Sequence, residues 1–142
     1  MSKLINLTDR RISSYDNIEN TQFLNSLKLV KTILDYDHMG LWMWYEDEKG
    51  VIYFSKWCDS DNLTWRNMAY RVNKELISKY KNKEITLNEL ILNKLDDFVY
   101  IRDDIDEGDC TSVQAYKIKK LNIPEEYLAK KDCYYDSKFE DM

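Results

Sequence analysis

Two apolar runs, Leu41-Trp42-Met43-Trp44-Tyr45 and Val51-Ile52-Tyr53-Phe54-Ser55-Lys56-Trp57, flank the polar, glycine-ended stretch Glu46-Asp47-Glu48-Lys49-Gly50. Aromatic and β-branched residues on both sides of a polar turn predict a β-hairpin. With a turn of two or four residues, even positions of the first strand share a face with odd positions of the second. That assignment puts Leu41, Met43, Tyr45, Ile52 and Phe54 on one face and Trp42, Trp44, Val51, Tyr53 and Trp57 on the other. Both faces are apolar.

After a polar loop, Asp59-Ser60-Asp61-Asn62, a third strand is expected from Leu63 to Val72. Ahead of the hairpin, residues 21–35 fit two periods. Phe23, Leu24, Leu27, Val30 and Leu34 follow a helical stripe, whereas the turn Asp37-His38-Met39-Gly40 favours a strand from Leu29 to Tyr36 with a short helix at Thr21 to Ser26. Asn73 can cap a helix through Tyr80, and Thr86 with Glu89 forms a capping box ahead of Leu90, Ile91, Leu92 and Leu95. Phe98 to Ile101 and Thr111 to Ile118 read as strands, with Asp103 to Asp109 as an acidic turn between them. Pro124 opens a short helix from Glu125 to Lys130. The order predicts an α+β domain: a mainly antiparallel sheet of about five to six strands, two middle helices packed on one face, and a short C-terminal helix. Residues 1–142 form one domain, with ends at 1–20 and 134–142 expected to be mobile.

Composition sharpens this picture through the placement of charge. The chain has 142 residues and a net charge of -5. Residues 1–102 carry 15 acidic and 15 basic residues, whereas residues 103–142 carry 11 acidic against 6 basic, so the whole excess lies in the last part. General nucleic-acid binding needs a basic stripe to neutralise phosphates, and none is present. The acidic segment suits a basic partner protein or simple solubility. The N-terminal stretch lacks the apolar run of a signal peptide, and no membrane-spanning stretch occurs. A cytoplasmic protein is expected. Cys58, Cys110 and Cys133 are an odd number at irregular spacing and fit reduced thiols.

Motifs for catalysis are nearly absent. His38 is the only histidine, and no nucleophile elbow, phosphate-cradling glycine loop or HExxH accompanies it. Cys58, Cys110, Cys133 and His38 lack the close pairs of a structural zinc site. Asp104 and Asp106 could open a calcium loop, but Gly108 and Ala115 occupy positions that need oxygen ligands. No metal and no cofactor is expected, and the Asp103 to Asp109 run reads as a solvated turn.

All four tryptophans fall between residues 42 and 65. They fill a sheet buried on both sides, or else one aromatic face is a binding surface. In the second case the site residues are Trp42, Trp44, Tyr53, Trp57 and Trp65, rimmed by Arg66, Arg71 and Lys56. Trp, Tyr and Arg dominate interface hot spots and also stack and pair with nucleotides.

The same residues carry a resemblance. Asp37-His38-Met39-Gly40 enters Leu41-Trp42-Met43-Trp44, Gly50 precedes Tyr53 and Trp57, and Trp65 lies in the next strand. Arg71-Val72 and Glu75-Leu76 follow, then Ile85 to Leu90 with Asn93, and Val99-Tyr100. The stretch from about Leu29 to Tyr100 resembles a family of small bacterial and phage domains of unassigned function, departing from it at Met39-Gly40, where Gly-Pro is usual, and at Asn82, where a glycine is common. The resemblance implies strands followed by two helices, and a setting of prophage and bacterial conflict genes, so that a phage-encoded chain would act in the host cytoplasm. With no catalytic motif, aromatic anchors and segregated charge, the expected function is non-enzymatic: an inhibitor of a host anti-phage defence component by direct binding. Two alternatives stay open. One is a sponge for a nucleotide signal, with Trp42, Trp44 or Trp65 stacking the base and Arg66 or Arg71 holding phosphate. The other is an immunity protein or antitoxin blocking a toxin. The expected partner is thus a host or toxin protein, or a small nucleotide, and self-association is left open.

Overall fold

A computed structural model describes residues 4, 5, 7, 17–34, 42–129 and 134, with residues 17, 18, 31–34 and 42–45 described by backbone alone. The turn at Asp37 to Gly40, and with it His38, lies outside the described residues, as do Leu41, Cys133 and the tail from residue 135 onward.

The fold is α+β. Its elements are α1 (Asn17–Ser26), β1 (Lys28–Leu34), β2 (Trp42–Glu46), β3 (Ile52–Ser60), β4 (Thr64–Val72), α2 (Lys74–Lys81), α3 (Leu87–Ile91), β5 (Phe98–Asp106) and β6 (Thr111–Lys119). Single 3₁₀ turns follow at Lys120–Asn122 and Glu125–Tyr127. The six strands form one antiparallel sheet in sequence order, each paired with the next. The 21–35 ambiguity resolves into both readings: helix to Ser26, then strand from Lys28.

Register corrects the expected faces of the hairpin. The loop between β2 and β3 has an odd length, Asp47 to Val51. Asp47 Oδ1 accepts from the N–H groups of Lys49 and Val51 at 2.8 and 2.9 Å, and Gly50 takes a left-handed φ of 79°. An odd loop pairs even positions with even ones. Trp42 therefore stands opposite Lys56, Trp44 opposite Phe54, and Tyr45 opposite Tyr53. Trp42 and Trp44 occupy register positions in the row of Ile52 and Phe54, not in the row of Tyr53 and Trp57, and Val51 belongs to the loop.

The even row of β3 and β4 (Ile52, Phe54, Met68, Tyr70, Val72) faces the main core, joined by Val99, Ile101, Tyr116 and Ile118 of β5 and β6. α2 and α3 close this core with Ile77, Tyr80, Leu87, Leu90 and Ile91, so the two middle helices do pack on one face. Their ends follow from local chemistry. Asn73 Oδ1 accepts from Leu76 N–H at 2.8 Å, and the Thr86 and Glu89 side chains and backbones cap each other as expected. α3 ends at Ile91, one turn earlier than its apolar pattern implies, because Asn93 draws the chain away. The Asn93 side-chain amide donates to Leu90 O and Arg71 O, both at 2.7 Å, leaving Leu92 and Leu95 exposed.

Three further expectations shift. β3 continues through Ser60, so the loop before β4 is Asp61 to Leu63. Asp103 to Asp106 belong to β5, leaving only Glu107 to Cys110 as the turn. The helix expected from Glu125 to Lys130 is one 3₁₀ turn that buries Tyr127. Of the end expected to be mobile, residues 17–20 form the start of α1, and Leu7 is 2% exposed in the main core.

Candidate functional site

The odd row of the sheet faces α1. Phe23, Leu24 and Leu27 on and beside that helix pack with Ala69, Tyr100 and Ala115 in a second, smaller core. Tyr53 is part of it, 8% exposed, with its ring edge-on to Phe23 at 5.3 Å and to Tyr100 at 6.3 Å. Burial foremost, then the charge of Asp47, raises its phenol above the ordinary value. A residue expected on the aromatic binding face is thus a core residue beneath a helix.

Farther along the row, Trp57 and Trp65 lie as a diagonal pair on β3 and β4, ring centroids 5.5 Å apart and planes 35° apart. Both are half-buried. Trp57 stands directly opposite Asn67, and Trp65 opposite Asp104. Between α1 and the sheet lies a half-open cavity of about 280 Å³. Leu24 and Leu27 roof it, Ser55 and Ala69 floor it, and Asn67, Arg102 and Asp104 supply polar walls.

Arg66 is not on this face. A bulge at Cys58 shifts β3 by one residue, so that Trp57 pairs with Asn67 but Asp59 pairs with Arg66. Both Arg66 and Asp59 then belong to the opposite side. Arg66, 5% exposed, donates from Nε and Nη2 to Asp103 at 2.6 and 2.9 Å, and from Nη1 to Tyr127 Oη at 2.7 Å and Ile5 O at 2.8 Å. Burial works against its charge, but the hydrogen bonds and the charge of Asp103 outweigh it and hold the guanidinium above its ordinary value. Four of the five guanidinium N–H donors are thus taken by the protein, and the group is buried away from any outside phosphate. Lys56, expected at the rim, also sits in the even row and donates to Tyr127 O at 2.9 Å. Asp103 likewise departs from the solvated turn expected of it. Arg71 keeps to the odd row opposite Tyr53, with its side chain 41% exposed and 3.8 Å from Asp96.

At the end of the sheet beyond Trp65, two loops meet. Asp61 Oδ1 accepts from the N–H groups of Leu63 and Thr64, which holds Leu63 outward, 60% exposed. Asp106 N–H donates to Leu63 O at 2.7 Å, tying the end of β5 to the β3–β4 loop. A shallow hollow of about 270 Å³ lies there, lined by Leu63, Trp65, Asp61, Asp104 and Asp106 among others. No ion pair among the described residues reaches Asp61, Asp106, Glu107 or Asp109.

The structure therefore brings together Trp57 and Trp65, sets Tyr53 in the core and Arg71 at its margin, and moves Arg66 to the far side. Trp42 and Trp44 fall at register positions in the other row. Ser55, Asn67, Ala69 and Arg102 carried no expectation from the sequence, and Asp104 was expected only in a solvated acidic turn. The small residues Ser55 and Ala69 amid aromatics were the available signal, and it required the register. Among the described residues no cluster of three metal-ligating side chains occurs, and no helix is long and apolar enough to cross a membrane. Comparison with family models, curated proteins and solved structures returns no match.

Proposed function

We propose that this chain is a non-enzymatic binding protein of phage–bacterium conflict, an inhibitor that docks against a basic surface of a host defence component through the sheet end built by Leu63 and Trp65. The observation that carries this reading is the hydrogen bond from Asp106 N–H to Leu63 O at 2.7 Å, together with the Trp65–Asp104 register pair. Through them the neutral, tryptophan-bearing part of the sequence and its acidic last part meet at one place. Apolar anchors surrounded by charge are the anatomy of a binding patch, and acids with no cationic partner among the described residues can steer a basic surface toward them. The resemblance over residues 29–100 supports the setting.

The test is to produce the chain in bacteria carrying an anti-phage defence system, with phage plating and affinity capture as paired readouts. Plating should be restored, and the captured defence component should dissociate as salt is raised, because exposed charge pairs are screened. Trp65→Ala and Leu63→Ser should each abolish both effects while leaving the fold intact. Capture that neither substitution weakens would remove this surface from consideration.

A further inference from the structure

The hollow at the end of the sheet combines an apolar wall with carboxylates that the fold only half uses. Strand period places Asp104 and Asp106 on one face of β5, their Cα atoms about 7 Å apart. Trp65 stands opposite Asp104, and the β3–β4 loop brings Asp61 and Leu63 to the same hollow. Leu63 is 60% exposed and Trp65 half-buried, so apolar surface stays open to solvent between the acids.

Each aspartate uses one oxygen within the chain. Asp61 Oδ1 accepts from Leu63 and Thr64 N–H at 2.9 and 2.8 Å, Asp106 Oδ1 from Gly108 N–H at 2.9 Å, and Asp104 Oδ1 from Arg102 Nε and Nη2 at 3.3 and 3.2 Å. Their Oδ2 atoms accept nothing from the described residues. Arg102 balances Asp104, which leaves the charges of Asp61 and Asp106 uncompensated, and none of the described residues lining the hollow is basic. The carboxylates do not converge as they would on an ion, since no group of three metal-ligating side chains occurs among the described residues. The complementary group is therefore cationic, wide enough to reach two separated carboxylates, and apolar along part of its length.

Guanidinium has these properties. It is planar and stacks on aromatic faces, its five N–H donors fork toward two acceptors at once, and its methylene stem covers apolar surface. An ammonium is a compact, strongly hydrated point charge that serves one carboxylate. We infer that the hollow receives an arginine side chain of the basic partner, its guanidinium against Trp65 and between the free oxygens of Asp104 and Asp106, its stem along Leu63. This assignment rests on the docking surface proposed above and names the side chain that the surface takes. Arg102 is then an internal competitor, holding Asp104 from the side of the cavity under α1.

The test titrates the purified full chain with N-acetyl-arginine amide, N-acetyl-lysine amide and N-acetyl-citrulline amide, following the Trp65 indole N–H and the backbone N–H groups of Thr64 and Asp106 by NMR. The arginine derivative should shift all three saturably, in the millimolar range expected of so small a ligand, and more weakly as salt is raised. The lysine derivative should bind about tenfold more weakly, and citrulline, which keeps the shape without the charge, should not bind. Asp106→Asn keeps an acceptor for Gly108 N–H and should weaken binding about tenfold. Arg102→Met should tighten it, because Asp104 is then unpaired. An arginine site is ruled out by resonances that stay still at millimolar arginine derivative, by lysine or citrulline binding as tightly, or by an affinity that Asp106→Asn leaves unchanged. The two readings fail separately. Arginine binding with no defence component captured keeps this site and removes the docking reading, whereas capture abolished by Trp65→Ala, without arginine binding, does the reverse.

Discussion

Arg66 and Asp103 are joined side chain to side chain across β4 and β5, Nε to Oδ1 at 2.6 Å and Nη2 to Oδ2 at 2.9 Å, with both residues buried. Tyr116 Oη donates to the same carboxylate at 3.3 Å. Tyr127 Oη, which accepts from Arg66, donates in turn to Asp59 Oδ2 at 2.7 Å. Two carboxylates and one guanidinium are thus held in a continuous network on the main-core side of the sheet. Breaking a buried pair from one side leaves an uncompensated charge and costs about 3–5 kcal/mol. Asp103→Ala should accordingly destabilise the protein by about that amount in urea unfolding. Arg66→Met combined with Asp103→Leu should recover part of the loss, since neither charge is then stranded. Additive losses in the double variant would mean the two residues are not coupled.

The bulge at Cys58 that aligns Asp59 with Arg66 also leaves a thiol in the interior. Burial, the largest influence, pushes the Cys58 thiol up from 9.0 to about 12. A group that holds its proton more tightly when folded stabilises the fold below its unfolded value and loses that contribution as pH rises toward its folded value. The window is therefore about pH 9 to 12. Stability should fall with pH across it, joined by Tyr127, also raised by burial and by its bond to Asp59. Cys58→Ala should flatten the fall by about 1.4 kcal/mol per pH unit, measured by denaturant unfolding between these limits. An unchanged slope would show that the thiol ionises freely in the folded state.

α2 ends with Asn82 N–H bonded to Ser78 O, Lys83 N–H to Tyr80 O, and Glu84 N–H to Lys79 O. The last two bonds are the paired closure of a Schellman motif, whose C′ residue must be left-handed. That residue is Lys83, with a φ of 61°. An L side chain in this region costs about 1–2 kcal/mol, and glycine avoids that cost at a smaller cost in chain entropy. Lys83→Gly should therefore raise stability by about 0.5–1 kcal/mol, seen as a higher Tm. A lower Tm would mean that the lysine side chain contributes more than its backbone strain removes.

What the sequence revealed and what it hid divide along physical lines. The caps at Asn73 and Thr86 are local: each side chain meets a backbone group within three residues, so the pattern alone specified them. The fate of the aromatics was not local. It depended on whether the hairpin loop is odd or even, and Asp47 and Gly50 together make it odd, which moves Trp42 and Trp44 to register positions in the row of Phe54. Arg66 looked like a surface cation because its partner lies 37 positions away in a segment that reads as a solvated acidic turn. The cavity under α1 required both the register and the helix, and residues 21–35 fitted two periods equally well. Long-range pairing decides each of these, and single-chain periodicity does not encode it.

The N-terminal stretch illustrates the same point and yields the last expectation. Its polar composition suggests a loose end, yet Ile5 N–H donates to Asp59 Oδ2 at 3.1 Å and Ile5 O accepts from Arg66 at 2.8 Å. Those two backbone bonds fasten the segment to the charged network and insert Leu7 into the main core. A side chain so covered should behave as a core residue: Leu7→Ala should cost about 2–5 kcal/mol, through lost burial and the cavity left behind. A residue in a mobile end would change stability by only about 0.5 kcal/mol in either direction. Removing residues 1–7 should be worse than Leu7→Ala, because it also leaves Arg66 Nη1 and Asp59 Oδ2 short of a partner. Urea midpoints for the parent, the substitution and the deletion should therefore fall in that order. Equal midpoints for parent and deletion would show that the segment contributes nothing to the fold.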